Sequence, residues 1–372
     1  MVDACARQSR LDEDVFMKAH LFRPGRRSSW FHALVLLFLA APTGPVLAEE
    51  TAVDRVAIVT PASRTNQGWD QQGVDNLVEV GEALDIEIEV VEDAGYDDIT
   101  PILNDLASDG TDLIVCHASG YQSVCPEFAQ AMGIAVVVVE NPAAVTDGLV
   151  ADIETQAQEA AYLAGVVAGL ETRSGTVAVV VSGEPPTWNF MTVGFAEGLH
   201  SVNPDATLVY QVIGEAAYDD APNAKRVTES VIAAGADIVF GMGDGASFGM
   251  IQAINEHNLD RETEDQVWFI DVIGDKSGSD AGQYLLTSVL FDYRGAYTEL
   301  IQQLKDGGFG EVHTMSLENE GVLLLDFASF ADPGTLGTVE EVRAQIVNGE
   351  IAVSAIGDAD GVRARLEELF PR

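Results

Sequence analysis

The chain has 372 residues, of which 47 % are hydrophobic, and 60 acidic against 19 basic side chains give a formal net charge of −41. Its length favours two packed lobes over one simple core, and its apolar content excludes a disordered chain. The negative charge excludes nucleic acid and anionic lipid as partners, and it predicts a surface adapted to high salt.

The first 48 residues have the pattern of an export signal. Arg26 and Arg27 precede an apolar run from Trp30 to Ala41, and the small-residue pattern Val46-Leu47-Ala48 follows helix-breaking prolines. The run is too short to span a bilayer comfortably. We expect cleavage after residue 48 and a periplasmic or secreted product; the alternative is an uncleaved anchor.

Apolar strands and helical stretches alternate along the next hundred residues. Continuous apolar runs predict buried parallel strands. The predicted strands are Val56–Thr60, Ile86–Val91, Asp112–Cys116 and Ile134–Val139. Helical stretches separate them, at Asp70–Ala83, Ile99–Ser108 and Ser123–Met132. This βαβ series predicts a parallel sheet with helices on both faces.

The alternation of strands and helices then repeats after a long predicted helix from Glu154 to Leu170. Further strands are predicted at Thr176–Val181, Thr207–Ile213, Asp237–Phe240, Val267–Val272, Leu285–Leu290 and Val322–Phe330. The sequence therefore predicts an α/β protein with two doubly wound, Rossmann-like lobes joined by a multi-crossover hinge. The N-terminal lobe would comprise residues 49–147 and about 288–318, and the C-terminal lobe 148–287 and about 319–372. The segment 140–152 is expected to be the first crossover.

Ligands of such sheets bind beyond the carboxyl ends of the strands, so residues there are candidate ligand contacts. In the first lobe, Asn66 and Trp69 follow the first strand, and His117 and Tyr121 follow the third. A Trp at this turn is well placed to stack on a planar ligand, although it could also cap the edge of the lobe. Asn66 or Asp70 could instead simply cap the helix.

The second lobe offers further aromatic and polar candidates at its strand ends. These are Trp188, Asn189, Tyr218, Asp220, Asp244 and Asp275. Carboxylates accept hydrogen bonds from hydroxyl groups and aromatic rings stack on rings, which together suit a nucleoside or a sugar. Each Asp taken alone could equally be a helix cap or a turn residue.

Cys116 and Cys125 are the cysteines outside the predicted signal. In an oxidising compartment they either form a disulfide that fixes the turn from His117 to Tyr121 or remain two small buried hydrophobic residues.

Motifs of common enzymes are missing from the sequence. There is no Gly-x-Ser-x-Gly, His-Glu-x-x-His or Walker motif, and the histidines show no metal-ligand spacing. We therefore expect a binding protein with no cofactor and no metal. A hydrolase with two catalytic carboxylates stays open as an alternative, because acidic pairs are frequent in so acidic a chain.

Two runs carry a resemblance to a known family: Glu159-Ala-Ala-Tyr-Leu-Ala-Gly165, and the run from Gly194-Phe195 to Val202-Asn-Pro204. With Asn66-Gln-Gly-Trp69, they make the chain from about Asp54 to Ala355 resemble the basic membrane protein (BMP) family of ABC-transporter solute-binding proteins. That family includes purine nucleoside receptors and has the type I periplasmic-binding fold.

The resemblance implies roles for several residues. Trp69 and Tyr218 match stacking aromatics, with Asp220 beside the second, and Asp244 and Asp275 fall where the family holds its ligand. The chain departs from the family at Gln67, Ile273 and Phe291, where the family often has Asp, Asp and a basic residue.

The sequence thus predicts a monomeric receptor that passes a small polar ligand, most plausibly a purine nucleoside, to an ABC transporter permease. A sugar or signal-molecule receptor is the alternative on the same scaffold.

Overall fold

A computed structural model describes residues 52–278, 280–326 and 332–371. The predicted export signal and the end of the predicted strand Val322–Phe330 lie outside these residues. Both predicted sheets are present, each with six strands in the described chain. None of the described helices is both long enough and apolar enough to cross a membrane.

The first sheet is parallel throughout and has the order β2-β1-β3-β4-β5-β11. Its central strands are continuous buried runs of Val, Ile and Leu, as a sheet covered on both faces requires. The strands are β1 (Arg55–Val59), β2 (Glu87–Val91), β3 (Leu113–Cys116), β4 (Ala135–Val139), β5 (Val150–Thr155) and β11 (Val312–Met315).

The second sheet repeats this arrangement with the order β7-β6-β8-β9-β10-β12. All its pairings are parallel except that of β10 with β12, which is antiparallel. The strands are β6 (Thr176–Val181), β7 (Thr207–Val212), β8 (Ile238–Met242), β9 (Trp268–Ile273), β10 (Leu285–Phe291) and β12 (Val322–Leu324).

Helices connect the strands on both faces of each sheet. Several begin at Asp side chains that accept a backbone N–H of the first turn, as Asp220 and Asp332 do. The helices are α1 (Trp69–Leu84), α2 (Thr100–Ser108), α3 (Val124–Met132), α4 (Ala157–Glu171), α5 (Pro186–Val202), α6 (Ala221–Ala233), α7 (Ser247–Asn258), α8 (Arg294–Asp306), α9 (Pro333–Val347) and α10 (Ala359–Leu369).

The two family-like runs meet where α4 packs against α5. A Cβ on Gly165 would lie 2.0 Å from the carbonyl oxygen of Phe195, and one on Gly198 would lie 1.9 Å from that of Tyr162. Only glycine permits this backbone approach, so the runs specify a helix–helix contact in the second lobe rather than a ligand site.

The strand β5 lies where the sequence suggested a crossover. It pairs with β4 and β11, so residues 150–155 belong to the first sheet, whereas the predicted boundary at 147/148 placed them in the second lobe. Asp152 and Glu154 interrupt the apolar pattern of this strand, and Asp152 is nevertheless fully buried.

The described chain passes between the two sheets at three places, after β5, after β10 and after β11. The multi-crossover hinge is therefore present. In each lobe the carboxyl ends of the parallel strands lie at one edge of the sheet, where ligands of such folds bind.

Candidate functional site

A cavity lies between the lobes, and residues that follow strands of both sheets line it. The space inside it that is open to the centre of a water-sized sphere is about 50 Å³. The first lobe contributes Pro61, Trp69, Asp70, Tyr96, Ala118, Ser119 and Glu140, and the second contributes Pro185, Thr187, Trp188, Tyr218 and Asp244.

Trp69, the first residue of α1, is half-buried at the cavity wall. Its ring stacks on His117 with the centroids 5.0 Å apart, and its Nε1 donates to the His117 carbonyl oxygen at 3.2 Å. His117 Nε2 donates in turn to the Trp69 carbonyl oxygen at 3.0 Å. Burial lowers the pKa of His117 to about 4, so the imidazole is neutral. The ring stack and the two hydrogen bonds with His117 thus hold Trp69 in place at the cavity wall.

Three other aromatic side chains complete the wall. Trp188 and Tyr218 of the second lobe pack edge to face, with ring centroids 5.2 Å apart. Tyr96 of the first lobe is 62 % exposed and lies at the mouth, beside Tyr121. The cavity therefore has aromatic side chains from both lobes, an arrangement that suits a flat ligand.

Asp70 and Asp244 place carboxylates in the same space. Asp70 accepts hydrogen bonds from Asn66 Nδ2 at 2.7 Å and from the Ala62 N–H at 3.3 Å. Burial raises the pKa of Asp70 to about 6. Burial, together with the nearby Asp70 charge, raises the pKa of Asp244 to about 7. In both cases desolvation of the charged form outweighs the hydrogen bonds that favour it.

Glu140 is the third carboxylate of the cavity. It follows β4 with a left-handed backbone, φ +58°, which is uncommon outside glycine. Burial, with Glu154 and Asp152 nearby, raises its pKa to about 7. Its buried Oε1 accepts no hydrogen bond from the described residues, and the buried Oγ1 of Thr187 is in the same condition.

Two contacts across the cleft show that the lobes are closed. Asp244 Oδ1 accepts the backbone N–H of Trp69 at 3.0 Å, so a carboxylate of the second lobe caps helix α1 of the first. The backbones also approach closely, because a Cβ on Gly274 would lie 2.4 Å from the Gln67 carbonyl oxygen.

The structure brings together four of the predicted site residues: Trp69, Trp188, Tyr218 and Asp244 all line the cavity. Asn66 lies just behind, where its Oδ1 accepts from the Gly68 N–H at 3.0 Å and its amide holds Asp70.

The remaining predicted residues are placed away from the cavity wall. His117 lies beneath Trp69, and the buried Tyr121 donates its hydroxyl to the Gly95 carbonyl oxygen at 2.6 Å. Asn189 Nδ2 bridges the carbonyl oxygens of Glu184 and Gly357. Asp220 caps α6, and the exposed Asp275 accepts from the Ser277 N–H at 2.8 Å.

Sequence reasoning missed Tyr96 and Glu140, and it considered Asp70 only as a helix cap. Tyr96 and Glu140 follow β2 and β4, so the strand-end rule that selected Trp69 could also have found them. The cysteines beside the site are joined, since Cys116 and Cys125 form a disulfide. The described residues contain no cluster of His, Cys, Asp and Glu side chains able to hold a metal ion.

Comparisons with known proteins identify the family and the fold. The family model described as "ABC transporter substrate-binding protein PnrA-like" (Bmp) matches residues 53–356. The chain is 26 % identical over 228 residues to the ABC transporter nucleoside-binding protein BmpA of Lactococcus lactis subsp. cremoris, a match that covers 58 % of this chain and 62 % of BmpA. The chain thus spans less than two thirds of that relative's length.

Two further relatives differ in their described roles. The transcriptional activator protein med of Bacillus subtilis is 23 % identical over 283 residues, 75 % of this chain and 84 % of med. A solved solute-binding protein of an ABC transporter system from Aeropyrum pernix K1 superposes with a TM-score of 0.73 at 19 % identity, covering 86 % of this chain and 97 % of that one. This last likeness shows the type I periplasmic-binding fold. Since the family model covers most of the chain, the protein belongs to the PnrA-like (Bmp) family of ABC transporter substrate-binding proteins.

Proposed function

We propose that this chain is the extracytoplasmic receptor of an ABC importer, which binds a nucleoside or a closely related ring compound in its cleft and presents it to a permease. One observation carries the proposal: aromatic side chains from both lobes and three carboxylates line a single cavity at the strand ends. Aromatic rings can stack on a base, and carboxylates can accept hydrogen bonds from ribose hydroxyl groups. The name of the relative BmpA supports the same ligand class.

The experiment is a thermal-shift screen followed by calorimetric titration with purine nucleosides, pyrimidine nucleosides and sugars. We expect saturable stabilisation by at least one nucleoside and no change in the ligand after incubation. Stabilisation by sugars alone would instead favour a sugar receptor on this scaffold. Appearance of a hydrolysed product would favour a hydrolase that uses the cavity carboxylates.

Export and partners belong to the same proposal. A cleaved signal predicts that the mature protein begins near Glu49, which N-terminal sequencing of the exported protein tests. We expect a monomer without affinity for nucleic acid, because a net charge of −41 repels phosphate backbones. Retention on DNA at physiological salt would contradict this and would favour a role like that named for med.

A further inference from the structure

The charge of the cavity wall is one-sided. Asp70, Glu140 and Asp244 line it, and the lining residues include no Lys, Arg or His. Two basic side chains near the wall already have partners within the protein. His117 lies behind Trp69 and is neutral, because burial lowers its pKa to about 4. Lys276 Nζ lies 2.5 Å from Asp271 Oδ2, and both of these side chains are fully buried.

Lys276 does not cancel the charge of the wall. Its attraction lowers the pKa of Asp244. Burial and the Asp70 charge raise that pKa by more than Lys276 lowers it, so the pKa of Asp244 is about 7. Lys276 forms a direct ion pair with Asp271 instead. Among the described residues, the carboxylates of the wall therefore have no basic side chain of their own to pair with.

One carboxylate oxygen of the wall, Oε1 of Glu140, also lacks a partner within the protein, since it is buried and accepts no hydrogen bond from the described residues. The Glu140 backbone is fixed on both sides, since the Glu140 N–H donates to the Ile153 carbonyl oxygen at 3.1 Å and its own carbonyl oxygen accepts from Gln122 Nε2 at 3.1 Å. A buried carboxylate oxygen without a donor is costly, so the bound ligand is expected to bring the missing hydrogen-bond donor.

The aromatic side chains of the wall also favour a positively charged ligand. Trp69, Tyr96, Trp188 and Tyr218 all line the cavity. The face of an aromatic ring attracts cations, and Trp does so most strongly. A neutral ring would stack here and leave the carboxylate charge unmatched, whereas a phosphate group would be repelled.

We propose that the cleft selects a positively charged nitrogen heterocycle, so that among nucleosides it prefers those whose base carries a cation. This inference rests on the proposed nucleoside-receptor function and specifies which members of that class are bound. Stacking between the aromatic side chains holds the ring, and Glu140 with Asp70 and Asp244 matches its charge.

The test compares two isomers at pH 7 by calorimetric titration: 1-methyladenosine, whose base is protonated, and N6-methyladenosine, which is neutral and has the same size. We expect the cationic isomer to bind at least tenfold more tightly and adenosine monophosphate not to bind. 1-Methylnicotinamide, a flat cation without ribose, serves as a third probe. The comparison uses the wild-type protein, so it does not depend on a variant folding.

Two variants locate the effect. Glu140→Gln should remove most of the advantage of the cationic isomer, so that the ratio of the two affinities falls towards one. Glu82→Gln removes the same charge at an exposed position of α1 and should leave both affinities unchanged. An advantage that survives in Glu140→Gln would overturn the role of Glu140.

The outcomes separate this inference from the proposed function. Equal affinities, or a preference for the neutral isomer, would overturn the charge selection and leave a nucleoside receptor. Binding of 1-methylnicotinamide but of no nucleoside would support charge selection and overturn the nucleoside assignment. Binding of none of the probes would overturn both.

Discussion

Trp69 contacts both the fold and the cavity, so its substitutions should affect both affinity and stability. Trp69→Phe keeps a ring above His117, and we expect affinity to fall about tenfold, because stacking contributes roughly 1–3 kcal/mol per base and 1.4 kcal/mol is a factor of ten. Trp69→Ala should lose more affinity and also lower the melting temperature, since it removes the stack on His117.

Calorimetric titration and a melting curve on the same samples check this prediction. Trp268 offers a matched control, because it is a largely buried Trp of β9 that does not line the cavity. Trp268→Phe should lower the melting temperature and leave affinity unchanged. A Trp69→Ala protein that binds normally would contradict a ligand-stacking role.

The cavity carboxylates give the empty protein a pH-dependent stability. The folded-state pKa of Asp70 is about 6 and those of Glu140 and Asp244 are about 7, all above the ordinary values of 3.8, 4.5 and 3.8 for these groups. The folded protein therefore binds more protons than the unfolded chain between about pH 4 and pH 7. The contribution of these groups is present at low pH and is lost as the pH rises through that window.

We expect the melting temperature of the empty protein to fall between pH 5 and pH 8 at fixed molar salt. Asp244→Asn should flatten part of this slope, whereas Glu82→Gln should not. A slope of the opposite sign in the wild-type protein, or an unchanged slope in Asp244→Asn, would refute the assignment.

Strand-end position predicted which residues come near the cleft but not where each side chain points. Trp69 and Tyr218 line the cavity, whereas Tyr121, the third residue of the helical turn Ser119–Tyr121, is buried and donates its hydroxyl to the Gly95 carbonyl oxygen. Glu140 begins the segment 140–152, which the sequence suggested as the first crossover, so it was not among the predicted ligand contacts. Its role depends on Asp152 and Glu154, which only the pairing of β4 with β5 brings near.

Closure of the cleft depends on a glycine, Gly274, in the loop that follows β9. Gly274→Ala would place a Cβ 2.4 Å from the Gln67 carbonyl oxygen in the closed form. We expect affinity to fall at least tenfold while the melting temperature of the empty protein changes little, because opening of the cleft relieves the clash. Gly278→Ala, four residues further on, has no atom within 4 Å of its added Cβ and serves as the control.

Titration of both variants with the ligand that stabilises the wild-type protein measures the effect. Equal affinities of Gly274→Ala and Gly278→Ala would mean that the ligand-bound form does not have this backbone contact.

The Cys116–Cys125 disulfide joins the end of β3 to α3 across the turn that carries His117. Loop closure in the unfolded chain predicts that the Cys116→Ser, Cys125→Ser double variant loses about 2–3 kcal/mol of unfolding free energy. Denaturant unfolding with and without reductant measures this loss. A wild-type protein whose stability is unaffected by reductant would contradict it.

Most elements could be predicted because buried parallel strands are uninterrupted apolar runs, as β4 and β6 are. The strands β5 and β11 could not, because they carry Asp152, Glu154 and His313 in an irregular pattern. Their place in the sheet depends on the neighbouring strand and, for Asp152, on its hydrogen bond from the Asn141 N–H.

The whole molecule carries a charge that dilute buffer does not screen. With a net charge of −41, self-repulsion should lower the melting temperature in dilute buffer. The Debye length falls to about 3 Å at 1 M salt, so we expect the melting temperature to rise steeply between dilute buffer and molar salt. Potassium chloride and sodium chloride should act alike. A flat response would exclude adaptation to high salt without affecting the receptor assignment.

The hydrogen bond from the Trp69 N–H to Asp244 has a kinetic consequence for the whole receptor. Because the protein's own groups bridge the lobes, the closed form needs no ligand to satisfy that N–H. Solute must then wait for the empty cleft to open. In stopped-flow experiments the observed rate of binding should level off as solute concentration increases, and the plateau should rise in Asp244→Ala. For the proposed receptor function, this means that solute capture would be limited by how often the cleft opens, however high the solute concentration.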